Sequence, residues 1–409
     1  MQQRAFLFLQ GVCSPFFYRL GKRLRALGLA VHKVHFNVGD VAYWGFNGAR
    51  SFRGPLEGLP DFMADCHRRW GITDQVLFGD CRPVHRPAIT AAQVRGIRNH
   101  IFEEGYFRPH WVTLEREGVN GHSLLPRDPD WFVEAAQRLP QTTTAEPVRS
   151  PFWIRALHDV VYHSASAWNP LFFPRYRTHA PFNAAVEYAA YCRQLPRLRL
   201  IARREARRCQ AVLQASRPFF LLPLQLNSDA QILTHSRFDG MASVMETVIA
   251  SFAAHAPSEA HLVIKNHPLD VGLVDYPAVI AGLTHRFGLD AERIVYLEGG
   301  SLPALCDRAR GVITVNSTSG LVAIQHGCPV KTLADPIYNL PGLTFQGDLD
   351  DFWHSAEPPD GRLYGHFHDV VHHTTQINGS FYSSRGITVA IENALPHLAA
   401  DRSPLERLL

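Results

Sequence analysis

The chain has 409 residues, of which 46% are hydrophobic and 19% are charged, and its formal net charge is +4. This length exceeds what one hydrophobic core usually supports, and the composition excludes extensive disorder, so we expect two domains. The mildly basic charge selects neither nucleic acid, nor a membrane, nor an anionic substrate as the partner.

The chain carries no segment near the ~20 uninterrupted apolar residues of a membrane-spanning helix. Its amino terminus lacks the cleavage pattern of a signal peptide and reads as a first strand. Seven cysteines without a CxxC pair suit a reducing compartment and favour packing roles over disulfides or zinc. We therefore expect a cytoplasmic protein without a metal site.

The first half alternates short apolar runs with an amphipathic segment, which is typical of a parallel sheet covered by helices. Phe16, Leu20 and Leu24 recur at helical spacing between the first two apolar runs. The predicted elements are strands at residues 5–9, 30–36, 75–78 and 98–103 and a helix at residues 15–27.

Residues 128–208 form long amphipathic segments rich in aromatic side chains, so we predict a helical insertion and connector there. The Ser216-Arg217-Pro218 sequence marks the boundary between a first domain, residues 1–215, and a second, residues 216–409. The last helix is a candidate to pack back on the first domain.

Two segments are strongly basic. Seven arginines lie between Arg193 and Arg208 against the single Glu205, and a second basic group follows the first strand. Each segment is either a solvated helix face or a surface that rests on anionic lipid headgroups.

The second half repeats the alternation of strand and helix, and this predicts a doubly wound domain. In such a domain, ligands bind at the carboxyl ends of the strands. The predicted strands are residues 219–226, 261–265, 294–297 and, as the last one, 311–315; the helices are residues 240–253, 276–287, one from residue 302 and 321–327.

Polar groups follow three of these strands. After residues 311–315 comes a loop of small hydroxyl residues and glycine that opens a helix, and this arrangement indicates either a phosphate site or an ordinary N-cap. The residues concerned are Asn316, Ser317, Thr318, Ser319 and Gly320.

The strand at residues 261–265 ends in Lys265-Asn266-His267-Pro268, where His267 has either a structural role or donates a hydrogen bond to a phosphate or ribose. The first strand of this domain continues into Gln225, Asn227 and Ser228. Neither a G-x-G-x-x-G fingerprint nor a Walker motif occurs, which argues against an NAD-dependent enzyme or a P-loop ATPase.

The densest polar group of the first half is Glu103 and Glu104, followed by Gly105 and Arg108. Two adjacent carboxylates among aromatic residues are costly to bury. In an extended segment they point to opposite sides, so one faces a cleft while the other pairs within the protein. A plain surface turn is the alternative.

The sequence resembles the capsular polysaccharide β-Kdo transferases, in particular the shorter, single-module type that acts first on the lipid acceptor. The resemblance covers nearly the whole chain. It rests on the segments at residues 102–109, 265–268, 316–321 and 377–382.

The resemblance implies an α/β fold of the GT-B type, with two Rossmann-like domains facing a cleft. Residues 1–215 would bind the acceptor and residues 216–409 the nucleotide sugar. It implies retaining transfer of Kdo from CMP-β-Kdo to (lyso)phosphatidylglycerol, which starts the poly-Kdo linker of a bacterial capsule. No cofactor and no metal are expected.

In the larger two-module relatives an Asp is the implied nucleophile, and the matching position here is Glu104, acting as nucleophile or as electrostatic stabiliser. The other candidate catalytic residues are Glu103 and Arg108. Arg108 or Lys265 is a candidate partner of the sugar carboxylate. The donor site would comprise Gln225, Asn227, Ser228, Lys265, His267, Pro268, Asn316, Ser317, Thr318, Ser319 and Gly320.

The resemblance also implies a place at the inner membrane surface and contact with other capsule assembly proteins, and it implies no nucleic acid partner. Two alternatives remain. One is a GT-B enzyme with another nucleotide sugar, such as a CMP-sialic acid transferase or a UDP-sugar epimerase. The other is a non-catalytic protein of capsule assembly or export that binds lipid-linked glycan.

Overall fold

The computed structural model describes residues 4–140, 146–178, 184–226 and 230–409. The chain divides into two compact units. The first unit comprises Met1–Pro126, Ala135–His179 and Asp369–Leu409, and the second comprises Arg127–Glu134 and Ala180–His368. These units differ from the predicted domains in three stretches, because residues 127–134 and 180–215 belong to the second unit and residues 369–409 to the first.

The first unit is built on a seven-stranded sheet of order β12-β6-β5-β4-β1-β2-β3. Neighbouring strands are parallel except that β6 runs antiparallel to both β5 and β12. The strands are β1 Ala5–Phe8, β2 Ala30–His35, β3 Ala49–Ser51, β4 Asp74–Phe78, β5 Arg98–Glu104, β6 Trp111–Arg116 and β12 Gln376–Asn378.

Helices cover both faces of this sheet, which explains why β1 is apolar on both sides. Phe6 and Phe8 pack in one core with residues of α1 and α16, whereas Leu7 packs in a second core with residues of α3 and α4. The helices of this unit are α1 Phe16–Ala26, α2 Val38–Trp44, α3 Leu59–Trp70, α4 His85–Gln93, α6 Phe152–Ser166, α7 Asn169–Phe172, α16 Ser384–Ala399 and α17 Pro404–Leu408.

The second unit contains a five-stranded, all-parallel sheet of order β11-β10-β7-β8-β9. Its strands are β7 Phe219–Pro223, β8 His261–Lys265, β9 Ile294–Leu297, β10 Gly311–Thr314 and β11 Val330–Thr332. Its helices are α8 Ala184–Gln214, α9 Ala230–His235, α10 Met241–His255, α11 Tyr276–Arg286, α12 Leu302–Cys306, α13 Thr318–Gln325 and α14 Leu349–Ser355. Two further helices, α5 Pro129–Gln137 and α15 Gly361–Thr375, contain the boundaries between the units.

The core of the second unit lies between this sheet and α10, α11 and α14. Phe220 and Leu262 from the strands pack there with Phe252 and Trp353, and all four are buried. Of the remaining helices, α13 contacts β10 and α8 contacts β9. Both units therefore belong to the predicted α/β class, with mainly parallel sheets, and that expectation is confirmed.

The prediction that residues 311–315 form the last strand is wrong, because β11 and β12 follow later in the chain. Both contain only three residues, too few to show a periodic pattern. β6 was likewise not predicted: both of its faces are buried, but one of them carries the polar residues Thr113 and Glu115. Within the described ranges, no helix is both long and apolar enough to span a membrane.

Candidate functional site

Glu104 lies at the carboxyl end of β5, where two side chains from distant parts of the chain reach its carboxylate. Tyr382 donates its hydroxyl proton to Glu104 Oε1 at 3.0 Å. The Arg155 guanidinium lies 3.4 Å from the same oxygen and stacks over the Tyr382 ring at 5.0 Å. Burial, reinforced by the negative charge of Glu104, raises the pKa of Tyr382 well above its ordinary value, so Tyr382 stays a hydrogen-bond donor.

The contacts of Glu104 leave one of its oxygens available. Tyr382 and Arg155 both reach Oε1, and across the described ranges no hydrogen bond is made to Oε2. The Glu104 side chain is 23% exposed. A carboxylate that is fixed through one oxygen and open at the other is suited to nucleophilic attack or to stabilising a positive charge.

Aromatic packing fixes the Tyr382 segment against β5. The ring of Phe381 lies 6.3 Å from that of Phe102 and 5.0 Å from that of Phe16, in edge-to-face geometry in both cases. One residue after β5, a Cβ on Gly105 would lie 2.1 Å from the Trp111 carbonyl oxygen. Only glycine therefore allows the chain to turn back so closely after Glu104.

The other two predicted catalytic residues occupy different surroundings. Glu103 Oε1 accepts a hydrogen bond from the Glu104 backbone N–H at 2.9 Å, so Glu103 is held beside Glu104 and partly within the protein. Arg108 is exposed, and its Nε donates to the Gly105 carbonyl oxygen at 3.3 Å.

A buried polar network lies at the carboxyl ends of β1 and β2. The Tyr162 hydroxyl of α6 accepts hydrogen bonds from Gln10 at 3.1 Å and Asn37 at 2.7 Å, and donates to Asp40 at 3.3 Å. Lys33 Nζ lies 4.0 Å from the Asp40 carboxylate, and both side chains are almost fully buried. These contacts hold α6, and with it Arg155, against the carboxyl ends of β1 and β2.

One group beside Arg155 has the donor atoms of a metal site. The Cys13 sulfur, an Asp159 oxygen and a His163 ring nitrogen all lie within 4.8 Å of one another. Burial, followed by the charge of Asp159, raises the pKa of Cys13 to about 12, so the sulfur is a thiol rather than the thiolate that binds metal. The three residues could hold a transition metal if the ion displaced that proton.

In the second unit, the structure brings together the predicted residues that follow β7 and β10. Gln225 Nε2 donates to Asn316 Oδ1 at 3.0 Å, and the Asn316 N–H donates back to Gln225 Oε1 at 3.3 Å. Ser317 is the N-cap of α13, and its hydroxyl accepts from the Ser319 N–H at 3.1 Å. Thr318 is the first residue of that helix.

Gly320 lies against a buried tyrosine that holds the Ser317 loop from behind. The Tyr338 hydroxyl donates to the Ser317 carbonyl oxygen at 2.5 Å. A Cβ on Gly320 would lie 2.4 Å from the same hydroxyl oxygen, so a larger residue at this position would displace either Tyr338 or the helix. Burial raises the pKa of Tyr338 well above its ordinary range, which keeps it a donor.

The residues after β8 form a compact turn. Asn266 accepts from the His267 N–H at 2.8 Å through its side chain and donates to Asp270 at 3.1 Å. His267 Nδ1 accepts from the Leu269 N–H at 3.1 Å, so the neutral ring carries its proton on Nε2. Pro268 follows in an exposed position.

Lys265 is only 7% exposed, and its Nζ donates to the Asn266 carbonyl oxygen at 3.3 Å. Burial lowers the pKa of Lys265, and the electrostatic effect of Cys209 in α8 partly opposes this shift. Its ammonium group is therefore directed into the unit. Two other predicted donor-site residues, Asn227 and Ser228, lie outside the described residues.

Three side chains in these contacts, Arg155, Tyr338 and Tyr382, are absent from the predicted site. Tyr382 ends one of the segments that carry the family resemblance, so a signal for it exists in the sequence. Arg155 and Tyr338 have no comparable local signal, because neither lies in a segment that carries the family resemblance and each acts through a residue of another segment.

Residues 73–382 match the family model described as capsule polysaccharide biosynthesis protein. The capsule polysaccharide export protein KpsS of Escherichia coli is 34% identical over 93% of this chain and 97% of its own length. The capsule polysaccharide modification protein LipB of Neisseria meningitidis serogroup B is 36% identical over 92% of this chain and 91% of its own.

Among solved structures, the β-Kdo 2,7 transferase KpsC of Thermosulfurimonas dismutans covers 96% of this chain and 99% of its own, with 14% sequence identity and a TM-score of 0.45. The family match spans well over half of the chain, and both sequence relatives cover more than nine tenths of it. The protein therefore belongs to the family of capsule polysaccharide biosynthesis proteins.

Proposed function

We propose that this protein is a retaining glycosyltransferase that moves Kdo from CMP-β-Kdo to (lyso)phosphatidylglycerol and so starts the poly-Kdo linker of a bacterial capsule. The observation that carries the proposal is the Glu104 carboxylate, held by Tyr382 and Arg155 at the end of β5. Membership of the capsule polysaccharide biosynthesis family supports the pathway, and the family resemblance supports the donor and acceptor.

The proposed reaction has two displacements. Glu104 Oε2 attacks the anomeric carbon, the bond from that carbon to the phosphate oxygen breaks, and CMP leaves with the electron pair. A glycerol hydroxyl of the acceptor then attacks the same carbon, the bond to Oε2 breaks, and the hydroxyl proton passes to a base, for which Glu103 is the candidate. Two inversions give net retention.

Arg155 and Tyr382 have a defined part in this scheme. Both hold the Glu104 carboxylate in one orientation, since a cation and a hydrogen-bond donor each bind to Oε1. Because both act on Oε1, Oε2 keeps its nucleophilic lone pair. If Glu104 acts instead as a stabiliser, the same contacts hold it in place beside a developing oxocarbenium ion.

We assign CMP binding to the second unit, where polar residues follow β7, β8 and β10. The His267 Nε2–H is a suitable donor to a phosphate, and Gln225 and Asn316 present amide groups for the nucleoside. Ser317 and Gly320 shape the first turn of α13, whose N-terminal dipole favours an anion. Neutralising the phosphate in this way makes CMP a better leaving group.

The acceptor and the location complete the proposal. We assign the protein to the cytoplasmic side of the inner membrane, bound peripherally, where a phospholipid acceptor and a nucleotide sugar are both accessible. Other capsule assembly proteins are proposed partners, and nucleic acid is not.

The direct test uses purified protein, CMP-β-Kdo and a fluorescent lysophosphatidylglycerol, with mass spectrometry of the lipid product. One added Kdo on the lipid is the expected result. Incubation with donor but without acceptor, followed by peptide mass spectrometry, should give a Kdo ester on Glu104 if that residue is the nucleophile. Absence of the ester with full transfer would leave Glu104 as a stabiliser.

The rival functions give different results in the same experiment. A transferase with another donor would transfer a sugar from CMP-sialic acid or a UDP-sugar in a donor panel but not from CMP-Kdo. A non-catalytic assembly or export protein would transfer nothing and would show no affinity for CMP by calorimetry. Either outcome would overturn the proposal.

A further inference from the structure

The helices α6 and α7 leave a large apolar surface exposed. Trp153 is 66% exposed, Trp168 62% and Leu171 69%. We name the exposed aromatic and aliphatic side chains of these helices the α6–α7 apolar surface: Phe152, Trp153, Leu157, Val160, Val161, Trp168, Leu171 and Phe172.

The orientation of α6 is the reverse of that of a surface helix in water, which buries its apolar side. Trp153, Leu157, Val160 and Val161 recur at helical spacing on the outside. The inward side packs Ile154 against the core and otherwise makes polar contacts: the Tyr162 hydroxyl joins the buried network at Gln10, and His158 meets the Tyr43 hydroxyl at 2.9 Å. An apolar helix face of this kind marks an interaction site.

The charge around this surface indicates its partner. Residues 149–178 contain four arginines and one acidic residue, Asp159. All four arginines are exposed, and Arg149, Arg175 and Arg177 lie in the segments that flank α6 and α7 in the chain. Tryptophan, aliphatic side chains and arginine together fit the interface of a bilayer with anionic headgroups, where indole rings and guanidinium groups meet the polar layer.

We propose that the α6–α7 apolar surface docks this protein on an anionic lipid bilayer and presents the bilayer to Glu104. With 15 residues, α6 is shorter than the ~20 residues that cross a bilayer, so it lies in the interface. Arg155 belongs to the same helix and contacts the Glu104 carboxylate. A lipid whose chains lie along α6 therefore has its headgroup near Glu104, a step that rests on the proposed function.

The basic helix α8 is less suited to docking on a bilayer than the α6–α7 apolar surface. Two of its arginines are committed within the unit: Arg197 pairs with Glu298, and Arg208 pairs with Glu205 at 2.9 Å. Of its described side chains, the large apolar ones that are exposed are Val186 and Leu200, which lie far apart along the helix. It serves as the rival surface in the test.

The test is sedimentation of the full chain with vesicles of phosphatidylethanolamine and phosphatidylglycerol, compared with vesicles of phosphatidylcholine alone. The wild type should bind the anionic vesicles, and the variant Trp153→Gln/Leu157→Gln/Trp168→Gln should bind them at least about 10-fold more weakly. Val94→Gln, at a position 80% exposed in the same unit, is the matched control and should bind like the wild type.

The variant Arg199→Ser/Arg203→Ser/Arg207→Ser tests the rival helix α8. It should retain most of the wild-type binding to anionic vesicles. Because all substituted side chains are exposed, thermal unfolding should be unchanged in every variant. Quenching of tryptophan fluorescence by brominated lipid should occur in the wild type and decrease in Trp153→Gln.

Three results would overturn the inference: no wild-type binding to anionic vesicles, equal binding by the tryptophan variant, or loss of binding through α8 alone. A wild type that is dimeric in solution, with a monomeric tryptophan variant, would assign the surface to a second copy of the chain. Transfer assays separate this inference from the proposed function. Vesicle binding is measured without any donor, so Glu104→Gln, which should lose transfer, should still bind anionic vesicles like the wild type.

Discussion

The two candidate edges of this protein, the end of β5 and the start of α13, are stabilised by different kinds of contact. At the end of β5, Glu104 depends on Arg155 and Tyr382, and the tyrosine is 278 residues away in the chain. At the start of α13, Ser317 caps its own helix, and the supporting Tyr338 is only 21 residues away. The first edge is thus a long-range assembly, whereas the second is mostly a local turn.

Under the proposed function, the first edge carries the chemistry and the second recognises the nucleotide. A cap and a pair of amides can form wherever a strand leads into a helix, and many unrelated proteins use them to bind anions. A carboxylate held by a buried tyrosine and an arginine is rarer and more costly, since each partner must be ordered by distant packing. We therefore expect substitutions at the first edge to change the rate and those at the second to change affinity for the nucleotide.

The largest expected effect is that of Glu104→Gln. The amide keeps the shape of the side chain but cannot act as a nucleophile, so transfer should fall at least ~10³-fold. CMP affinity, measured by calorimetry, should remain within about twofold because the nucleotide is assigned to the other unit.

Glu57→Gln, an exposed position in the same unit, serves as the control for Glu104→Gln and should transfer at the wild-type rate. A Glu104→Gln protein with full activity would remove this residue from the mechanism.

Acid should destabilise the first unit more than the second. Burial lowers the pKa of His35, His100 and His397 to about 4, and all three belong to the first unit. As the pH falls from about 6.5 to 4, the unfolded chain binds protons that the native state does not, so stability is lost over that range. For His35 the loss amounts to ~3 kcal/mol at most.

Hydrogen exchange at pH 7, 5.5 and 4.5 should therefore show β1 and β2 losing protection before β7 and β8. His35→Gln should weaken the pH dependence in the first unit. Equal loss in both units would contradict this expectation.

Gly320→Ala should affect the second edge, at the start of α13. Its new Cβ would overlap the Tyr338 hydroxyl, and overpacking of this kind typically costs ~1–3 kcal/mol. We expect a lower melting temperature and weaker CMP binding by calorimetry.

The matched control for Gly320→Ala is Gly282→Ala, in a helix of the same unit, where the new Cβ meets no atom within 4 Å. That protein should be as stable as the wild type or more stable, since alanine favours helix. Similar behaviour of the two variants would mean that Tyr338 can move aside.

Tyr382→Phe should have the smallest effect on transfer. It removes one hydrogen bond to the Glu104 carboxylate and keeps the ring beneath Arg155, so the rate should fall about 10-fold, the equivalent of ~1.5 kcal/mol. Tyr18→Phe, at an exposed position, should leave the rate unchanged.

Much of the fold could be predicted because its central strands and amphipathic helices carry strong periodic patterns. The strand predicted at residues 261–265 has the observed bounds of β8, and β9 agrees equally with residues 294–297. The short strands β11 and β12 could not be predicted, since three residues show no period. Pairing with neighbours from elsewhere in the chain creates them.

The candidate site, like the fold, could be predicted only where the local sequence carries a signal. Glu104 and Ser317 stand out locally, as charged or hydroxyl residues where apolar strands end. Arg155 lies in a helix whose sequence indicates only amphipathicity, and its role depends on the fold bringing α6 to β5. The side chains that hold a candidate residue therefore cannot be read from the sequence even when that residue itself stands out.

The first unit is completed by residues 369–409, which supply β12 and α16. A ribosome makes these residues after the whole of the second unit, so the interior segment can fold first while the amino-terminal strands wait for their missing edge and helix. Tyr382 arrives with that late segment. Glu104 therefore acquires its hydroxyl donor only after the second unit has been made, and the nascent chain lacks the Tyr382–Glu104 contact until then.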